Sequence, residues 1–256
     1  MDNAFLLLDR KQKIQSVFRQ YGIDNFYLSY SGGKDSTVLS WIIDQAVPDN
    51  RIPRVYADTG IEYNMVRDFV KKQAEKDDRI VIIRPSVPIK KSLEEDGYPF
   101  KSKLHSAIVD VYQLDSWSKA HGKPYTITGI MHAEGGRRER ATCLAFNKKR
   151  LTTFNPLLPI SKEWEEWLIK TYQIEICDIY KPPYKFYRTG CKGCPFAIDI
   201  QQNLDTLERF FPNEKKQCER IWAPVYAEYR RIGYRFKKDD GKQIAMDLGN
   251  QFWNLK

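Results

Sequence analysis

Between residues 26 and 130, short apolar runs alternate with longer stretches in which apolar residues recur every three or four positions. The short runs are Phe26-Tyr27-Leu28-Ser29-Tyr30, Arg54-Val55-Tyr56-Ala57, Arg79-Ile80-Val81-Ile82-Ile83-Arg84 and Tyr125-Thr126-Ile127-Thr128-Gly129-Ile130. Each has the length and the β-branched or aromatic content of a strand. The longer stretches read as helices. One starts at Asp35-Ser36 and runs through Trp41-Ile42-Ile43. A second presents Met65, Val66, Phe69 and Val70, and a third covers residues 104–120. An amphipathic helix over 4–20, with Leu6, Leu7, Ile14, Val17 and Phe18 at helical spacing, precedes them all. Residues 85–103, with Pro85, Pro88, Gly97 and Pro99, read as loop. Four strand–helix alternations predict an α/β fold with a doubly wound, mostly parallel sheet. Such sheets bind ligands at the carboxyl ends of their strands, which here are Ser31, Asp58, Arg84 and Gly129.

After residue 150 the pattern changes. Glu163-Trp164-Glu165-Glu166-Trp167-Leu168-Ile169 reads as helix, with Trp164 and Trp167 as core. Pro182-Pro183 opens a loop into Gly190-Cys191-Lys192-Gly193-Cys194-Pro195, and helices follow near 200–211 and 213–231. We therefore expect a nucleotide-binding domain over 1–150 and a helical, metal- or cluster-binding region over 151–256. At 256 residues with 42% hydrophobic content, the chain can bury a sizeable core. No apolar run approaches the roughly 18 residues of a membrane span. The opening Met1-Asp2-Asn3-Ala4 puts an acid where a secretory signal is basic, so a soluble, cytoplasmic protein is expected. Lys and Arg total 42 against 33 for Asp and Glu, a formal charge of +9 that favours an anionic partner: nucleotide, nucleic acid or an acidic protein face.

The chemistry concentrates where the first strand turns into a helix, at Ser31-Gly32-Gly33-Lys34-Asp35-Ser36. Two glycines let phosphate oxygens approach the backbone, and the free N–H groups and dipole of a helix start favour an anion. Lys34 adds a positive charge, and Ser31 and Ser36 add hydroxyl donors. Asp35 can cap the helix or lie beside the Mg²⁺ that accompanies the phosphates. The same residues could make an ordinary Gly-Gly turn with a solvated lysine; strand before and helix after argue against that. The Walker A spacing is absent.

These six residues are the signature of PP-loop ATP pyrophosphatases in the adenine nucleotide α-hydrolase superfamily, which the chain resembles over about residues 20–235. Ala57-Asp58-Thr59-Gly60-Ile61-Glu62 resembles the second-strand motif of the phosphoadenosine phosphosulfate reductase branch. Thr128-Gly129-Ile130-Met131-His132-Ala133-Glu134 resembles its fourth-strand motif, usually TGIRxxES followed by Arg. Here Met131 replaces the usual Arg and Gly135 the usual Ser, and Arg137-Arg138-Glu139-Arg140 can supply the missing charge. Tyr187-Arg188-Thr189-Gly190-Cys191-Lys192-Gly193-Cys194-Pro195-Phe196 recurs in bacterial and phage members. The resemblance implies a Rossmann-like sheet and ATP with Mg²⁺ at Ser31–Ser36, Asp58, Thr59, Gly60, Gly129, Arg137 and Arg138. Lys34, Asp35 and Asp58 would be the catalytic residues. True sulfonucleotide reductases carry a C-terminal Glu-Cys-Gly-Leu-His, and this sequence has no Cys after Cys218.

There are five cysteines, Cys143, Cys177, Cys191, Cys194 and Cys218. Cys191 and Cys194, flanked by Gly190, Gly193 and Pro195, form a knuckle that supplies half of a metal site. Related enzymes that insert sulfur hold a [4Fe–4S] cluster, which by that resemblance would sit on Cys143, Cys191, Cys194 and Cys218. Zinc, a redox pair and free thiols are the alternatives. Cys177 follows an apolar pattern and reads as core, or as a replacement for Cys218.

Two basic segments complete the picture. Arg137–Arg140 and Lys148-Lys149-Arg150 bracket Cys143, and Tyr229-Arg230-Arg231 with Tyr234-Arg235-Phe236-Lys237-Lys238 interleaves aromatics with cations. Both suit a nucleic-acid backbone as well as a solvated surface. The resemblance implies an enzyme that adenylates a DNA or tRNA acceptor for sulfur insertion, as in DNA phosphorothioation, with a cysteine desulfurase as sulfur donor. Sulfonucleotide reduction and a non-catalytic nucleotide-binding subunit are the alternatives.

Overall fold

The computed structural model describes residues 2–85, 91, 114–197, 199–233 and 236. These fall into two compact units. The first comprises the residues up to Thr59, from Asn64 to 85 and from 114 to Arg188; the second comprises Gly60–Tyr63 and the described residues from Thr189 onward, with Lys91. The basic segment 234–238, apart from Phe236, lies outside the described residues, as do most of 85–103 and the first part of the helix expected over 104–120.

The first unit holds a six-stranded sheet. Its strands are β1 (Phe26–Ser29), β2 (Arg54–Ala57), β3 (Ile80–Ile83), β4 (Tyr125–Ile127), β5 (Leu144–Asn147) and β6 (Arg150–Phe154). The spatial order is β3-β2-β1-β4-β6-β5. All neighbours are parallel except the β5–β6 hairpin. Helices lie on both sides of the sheet: α1 (Asn3–Tyr21), α2 (Lys34–Ala46), α3 (Asn64–Ala74), α4 (Leu114–Ala120) and α5 (Lys162–Tyr172). The four expected strands and their parallel pairing are therefore present. The β5–β6 hairpin is an addition. Its turn residues Lys148 and Lys149 both have positive φ, 45° and 67°, a two-residue turn that normally announces itself with Asn-Gly or Gly. Here two lysines occupy it, so the segment reads as a charge run instead.

β1 and β2 are buried almost throughout because a parallel sheet is covered on both faces. The chain winds outward from β1 to β2 and β3, then returns to β4 on the other side of β1. Strand order thus reverses between β1 and β4, which opens a crevice beyond their carboxyl ends. At the opposite ends of the strands, Arg54 is 1% exposed and is held by Asp44 at 2.6 Å, while Arg79 bridges Asp44 and Asp77 at 2.8 and 2.7 Å. Phe18 of α1 packs on Phe26 and Phe154, with ring centroids 5.1 and 6.3 Å apart, and this tilted aromatic group closes the core under β1, β4 and β6.

In the second unit, α6 (Ile200–Phe210) packs on α7 (Pro212–Ile232), and Ile200, Leu204 and Leu207 of the first and Trp222, Val225 and Tyr226 of the second are buried. Among the described residues no helix is long and apolar enough to cross a membrane.

Candidate active site

The loop Ser31–Ser36 occupies the crevice at the sheet's switch point, between the end of β1 and the start of α2. Its shape is held by its own hydroxyls. Ser36 Oγ accepts from Ser31 N–H at 3.2 Å, lies 3.0 Å from Ser31 Oγ, and donates to Gly33 O at 3.1 Å. Ser31 Oγ accepts from Gly33 N–H at 3.2 Å. Gly32 has φ 68°, and a Cβ there would lie 2.4 Å from Val70 Cγ2 on α3. Backbone conformation and packing therefore both require glycine. Gly129, just past β4, backs the loop: a Cβ on it would sit 3.2 Å from the Asp35 carbonyl carbon. At the α2 start, the N-cap is Gly33 and no described side chain caps the helix. The first N–H groups of a helix have no intrahelical acceptor, so here they remain available to an anion.

Four charged side chains stand around the loop. Lys34 Nζ is 3.0 Å from Glu165 Oε2, and Lys162 Nζ is 3.1 Å from Asp35 Oδ1 and 3.7 Å from Glu165 Oε2. Glu165 is 0% exposed. Its contacts with the ammonium groups are ion pairs in distance but lack the alignment of good hydrogen bonds. Burial, followed by the neighbouring Asp35, pushes its carboxyl up to about 7, against the pull of Lys162 and Lys34. The sequence pattern places Trp164 and Trp167 of this helix in the core; Trp164 is buried, whereas Trp167, one helical turn on, is half-buried. The available signal for Glu165 was an acid three residues before Leu168, on the apolar face of α5.

Asp58, at the end of β2, is buried and meets Arg67 of α3 at 2.9 Å and Arg84 at 3.6 Å. Thr59 beside it is also buried. Gly60, the first residue of the second unit, has φ 84° and donates its N–H to Glu62 Oε2 at 3.0 Å. Beyond β4, Glu134 holds Arg138 and Arg188 together. Arg137 lies in the 3₁₀ turn Gly136–Arg140, and its side chain is outside the described set. His132 Nε2 is 3.1 Å from the Ala141 carbonyl, which gives the ring a structural tie.

Cys143 and Cys177 belong to the first unit; Cys191, Cys194 and Cys218 belong to the second. Cys177 is buried with its thiol against the Met65 carbonyl at 3.5 Å, as expected of a core cysteine. In the second unit the Cys191–Cys194 turn is tied down by its backbone. Lys192 N–H donates to Ile61 O at 2.7 Å, Trp222 Nε1–H donates to Lys192 O at 3.2 Å, and the Tyr226 hydroxyl donates to Gly193 O. The Lys192 side chain is fully buried and meets Glu214 at 2.9 Å. Cys218 packs on Gly193, where a Cβ would fall 2.7 Å from its Sγ, and burial raises its thiol to about 12. Among the described residues no group of three His, Cys, Asp or Glu is gathered so that it could hold a metal ion. The thiols of this geometry thus do not by themselves assemble a cluster or zinc site. The carboxylates near the loop do not assemble a protein cage for Mg²⁺, an ion that commonly relies on substrate phosphates and water.

Residues 25–197 match the phosphoadenosine phosphosulfate reductase domain. This chain belongs to that family. An uncharacterized protein from Methanocaldococcus jannaschii is 27% identical over 228 residues, covering 80% of this chain and 54% of its own. Among solved structures, Candida glabrata FMN adenylyltransferase is similar at TM-score 0.55 and 16% identity, over 74% of this chain and 61% of that one. Candida auris phosphoadenylyl-sulfate reductase is similar at 0.52 and 14%, over 70% and 87%. The NH3-dependent NAD synthetase of Campylobacter jejuni is similar at 0.51 and 15%, over 88% and 95%. These likenesses establish a shared fold. The chain spans about half the length of the curated relative and under two thirds of the adenylyltransferase.

The reductase-domain span takes in the loop, Asp58–Gly60, Gly129, Arg137, Arg138, Cys143, Cys191 and Cys194, and ends before Cys218. Within it the fold brings together the loop, Gly129, Lys162 and Glu165. Asp58 has Arg67 and Arg84 as neighbours instead.

Proposed function

We propose that this reductase-domain protein is a cytoplasmic ATP pyrophosphatase that adenylates a nucleic-acid acceptor for sulfur insertion, as in DNA phosphorothioation. The observation that carries the reading is the uncapped start of α2 at the switch point, with Lys34 beside it and glycine required at position 32. An acceptor oxygen attacks the α-phosphorus of ATP, the bond to the bridging oxygen breaks, and pyrophosphate leaves with the electron pair. The loop N–H groups and Lys34 neutralise charge as it grows on the leaving group. Asp58 holds Arg67 and Arg84 at the end of β2, the strand beside β1 in the sheet. The terminal sulfur of a persulfide formed by a cysteine desulfurase then displaces AMP from the acceptor, and a second thiol attacks the persulfide's inner sulfur, releasing the thio-acceptor and leaving a disulfide. A tRNA acceptor is the close variant.

The test is pyrophosphate release from ATP–Mg²⁺ with candidate acceptors. Lys34→Ala is expected to lower it about 10²–10³-fold, the cost of losing one aligned charge stabiliser. Unchanged release in that variant would overturn the reading.

A [4Fe–4S] cluster on Cys143, Cys191, Cys194 and Cys218 belongs to the same proposal, with Zn²⁺ as the alternative. Its support is the backbone-anchored Cys191–Cys194 turn, and when bound it would supply a site that holds sulfur. Because the described thiols do not gather three donors, no step above passes through it. Anaerobic protein is expected to carry about four irons per chain. Cys191→Ser and Cys194→Ser should lose them, whereas Cys177→Ser should keep them.

Family membership favours a second reading, cleavage of phosphoadenosine phosphosulfate. Sustained sulfite release with a thiol reductant would select it.

A further inference from the structure

The start of α5 carries two charged side chains that the proposed reaction does not use, Lys162 and Glu165. The helix is anchored there. Ser161 caps it by accepting the Trp164 N–H at 3.2 Å, and the buried Trp164 ring donates its Nε1–H to Asn3 O of α1 at 3.1 Å. The same helix packs on α2. Lys162 thereby reaches the phosphate loop, with Nζ 3.1 Å from Asp35 Oδ1. One oxygen of Glu165, Oε2, stands 3.0 Å from Lys34 Nζ and 3.7 Å from Lys162 Nζ. Two ammonium groups from two helices are therefore drawn to one point beside the loop.

Local electrostatics does not favour this arrangement. Lys34 is the first residue of α2 and Lys162 the first of α5, and the helix dipole disfavours a cation at either position. Glu165 is fully buried, and neither of its oxygens has an aligned hydrogen-bond partner among the described residues. A buried carboxylate in that state is costly unless ion pairs hold it, so its role is tied to the two lysines. Lysine stems are flexible, and a buried charge behind them fixes where their heads lie. Each ammonium has three donors. Lys162 spends one on Asp35, and both heads keep an open side, at 17% and 19% exposure.

We infer that Lys162 is a second phosphate-binding residue at this loop, taking the outer phosphate of a diphosphate whose first phosphate lies on the α2 N–H groups and Lys34, with Glu165 as the positioning residue for both ammonium groups. A lysine acts on phosphate as a point charge, so a second one lengthens the site by one phosphate. The ligand class is a nucleoside triphosphate or the pyrophosphate it releases. A 5′-phosphosulfate, whose outer group is a sulfate of lower charge, gains less from Lys162. The inference rests on the proposed function only in taking the leaving group to be pyrophosphate.

The test is calorimetric titration with inorganic pyrophosphate and with AMP, in one buffer containing Mg²⁺. Wild-type protein should bind pyrophosphate. Lys162→Met should weaken pyrophosphate about tenfold or more, the loss of one charge-assisted contact, and AMP by less than about twofold. Lys162→Arg, which keeps the charge, should stay within about threefold of wild type. In a Glu165→Gln background the Lys162→Met penalty should shrink to about threefold, because the two residues are coupled; an undiminished penalty would remove the positioning role. Amine acetylation of wild type, read by mass spectrometry, decides the matter if a variant melts early. Pyrophosphate should slow labelling of Lys162 and leave the exposed Lys170 of the same helix unchanged. Four results would overturn the contact: no binding of pyrophosphate, unchanged pyrophosphate affinity in Lys162→Met, equal losses for pyrophosphate and AMP, or equal labelling of Lys162 with and without pyrophosphate. Pyrophosphate release from ATP is measured separately. Its absence, with Lys162-dependent pyrophosphate binding intact, removes the proposed function and leaves this contact standing.

Discussion

The phosphate loop and the cysteine turn are both glycine-bearing bends beside a helix, and they are built in opposite ways. At the loop, hydroxyls fix the shape while the helix N–H groups stay uncapped. At Cys191–Cys194, the backbone groups of Lys192 and Gly193 are used internally, and the turn's own lysine is buried against Glu214. The first is an opening prepared for an anion. The second is a joint whose backbone groups are already spent, beside a Cys218 thiol that burial raises. A glycine pattern on its own does not distinguish a receptor from a joint; what distinguishes them is where the backbone hydrogen bonds go.

The largest effect that sharpens this contrast is expected in the joint. Lys192→Met removes the ammonium from a buried ion pair and should cost about 3–5 kcal/mol in urea unfolding. A paired Glu214→Leu should recover much of that. Recovery would fail if the lysine served a ligand rather than the fold.

The glycines give a graded series. Gly193→Ala and Gly32→Ala both combine positive φ with a Cβ inside 3 Å of a neighbour, whereas Gly60 at φ 84° has nothing within 4 Å. The first two should each lose about 2–4 kcal/mol, from strain and overpacking together. Gly60→Ala should lose only about 1–2 kcal/mol, the backbone cost alone. Equal losses at all three positions, read from denaturant midpoints, would show that packing at the two bends is not what holds them.

The last effect is in pH. The native Glu165 carboxyl sits near 7 against an ordinary 4.5, so the folded state binds its proton more tightly than the unfolded state. Between those values the folded chain retains a proton that the unfolded chain releases. Stability from this group is therefore highest at acid pH and declines as pH rises towards about 7, then levels off. Thermal melts of wild type should drop over that window relative to Glu165→Gln, by about 2–4 °C for each kcal/mol of linkage in a chain of this size. A parallel pair of pH profiles would refute the assignment.

Much of this was legible in the residues. Four strands, the loop between β1 and α2, Asp58 at a strand end and the core role of Cys177 all follow from local pattern, because strand runs, helix starts and glycine turns are properties of a few consecutive residues. The β5–β6 hairpin was not, because lysines occupy the positive-φ turn. Lys162, Glu165, Arg67 and Arg188 were also hidden. Each acts through a partner distant in sequence, and an acid or arginine within a polar helix or loop gives no local sign of burial.

The sequence by itself determined the family, the alternation of strand and helix, and the identity of the phosphate loop, since those depend on short-range periodicity and on residue types with restricted backbone freedom. Only the tertiary structure decided the rest. It set the strand order β3-β2-β1-β4-β6-β5, whose reversal beside β1 opens the crevice. It paired Lys34 with Glu165 and gathered Arg138 and Arg188 on Glu134. These depend on which residues share a dry interior, where a charge must find its partner whatever the separation along the chain.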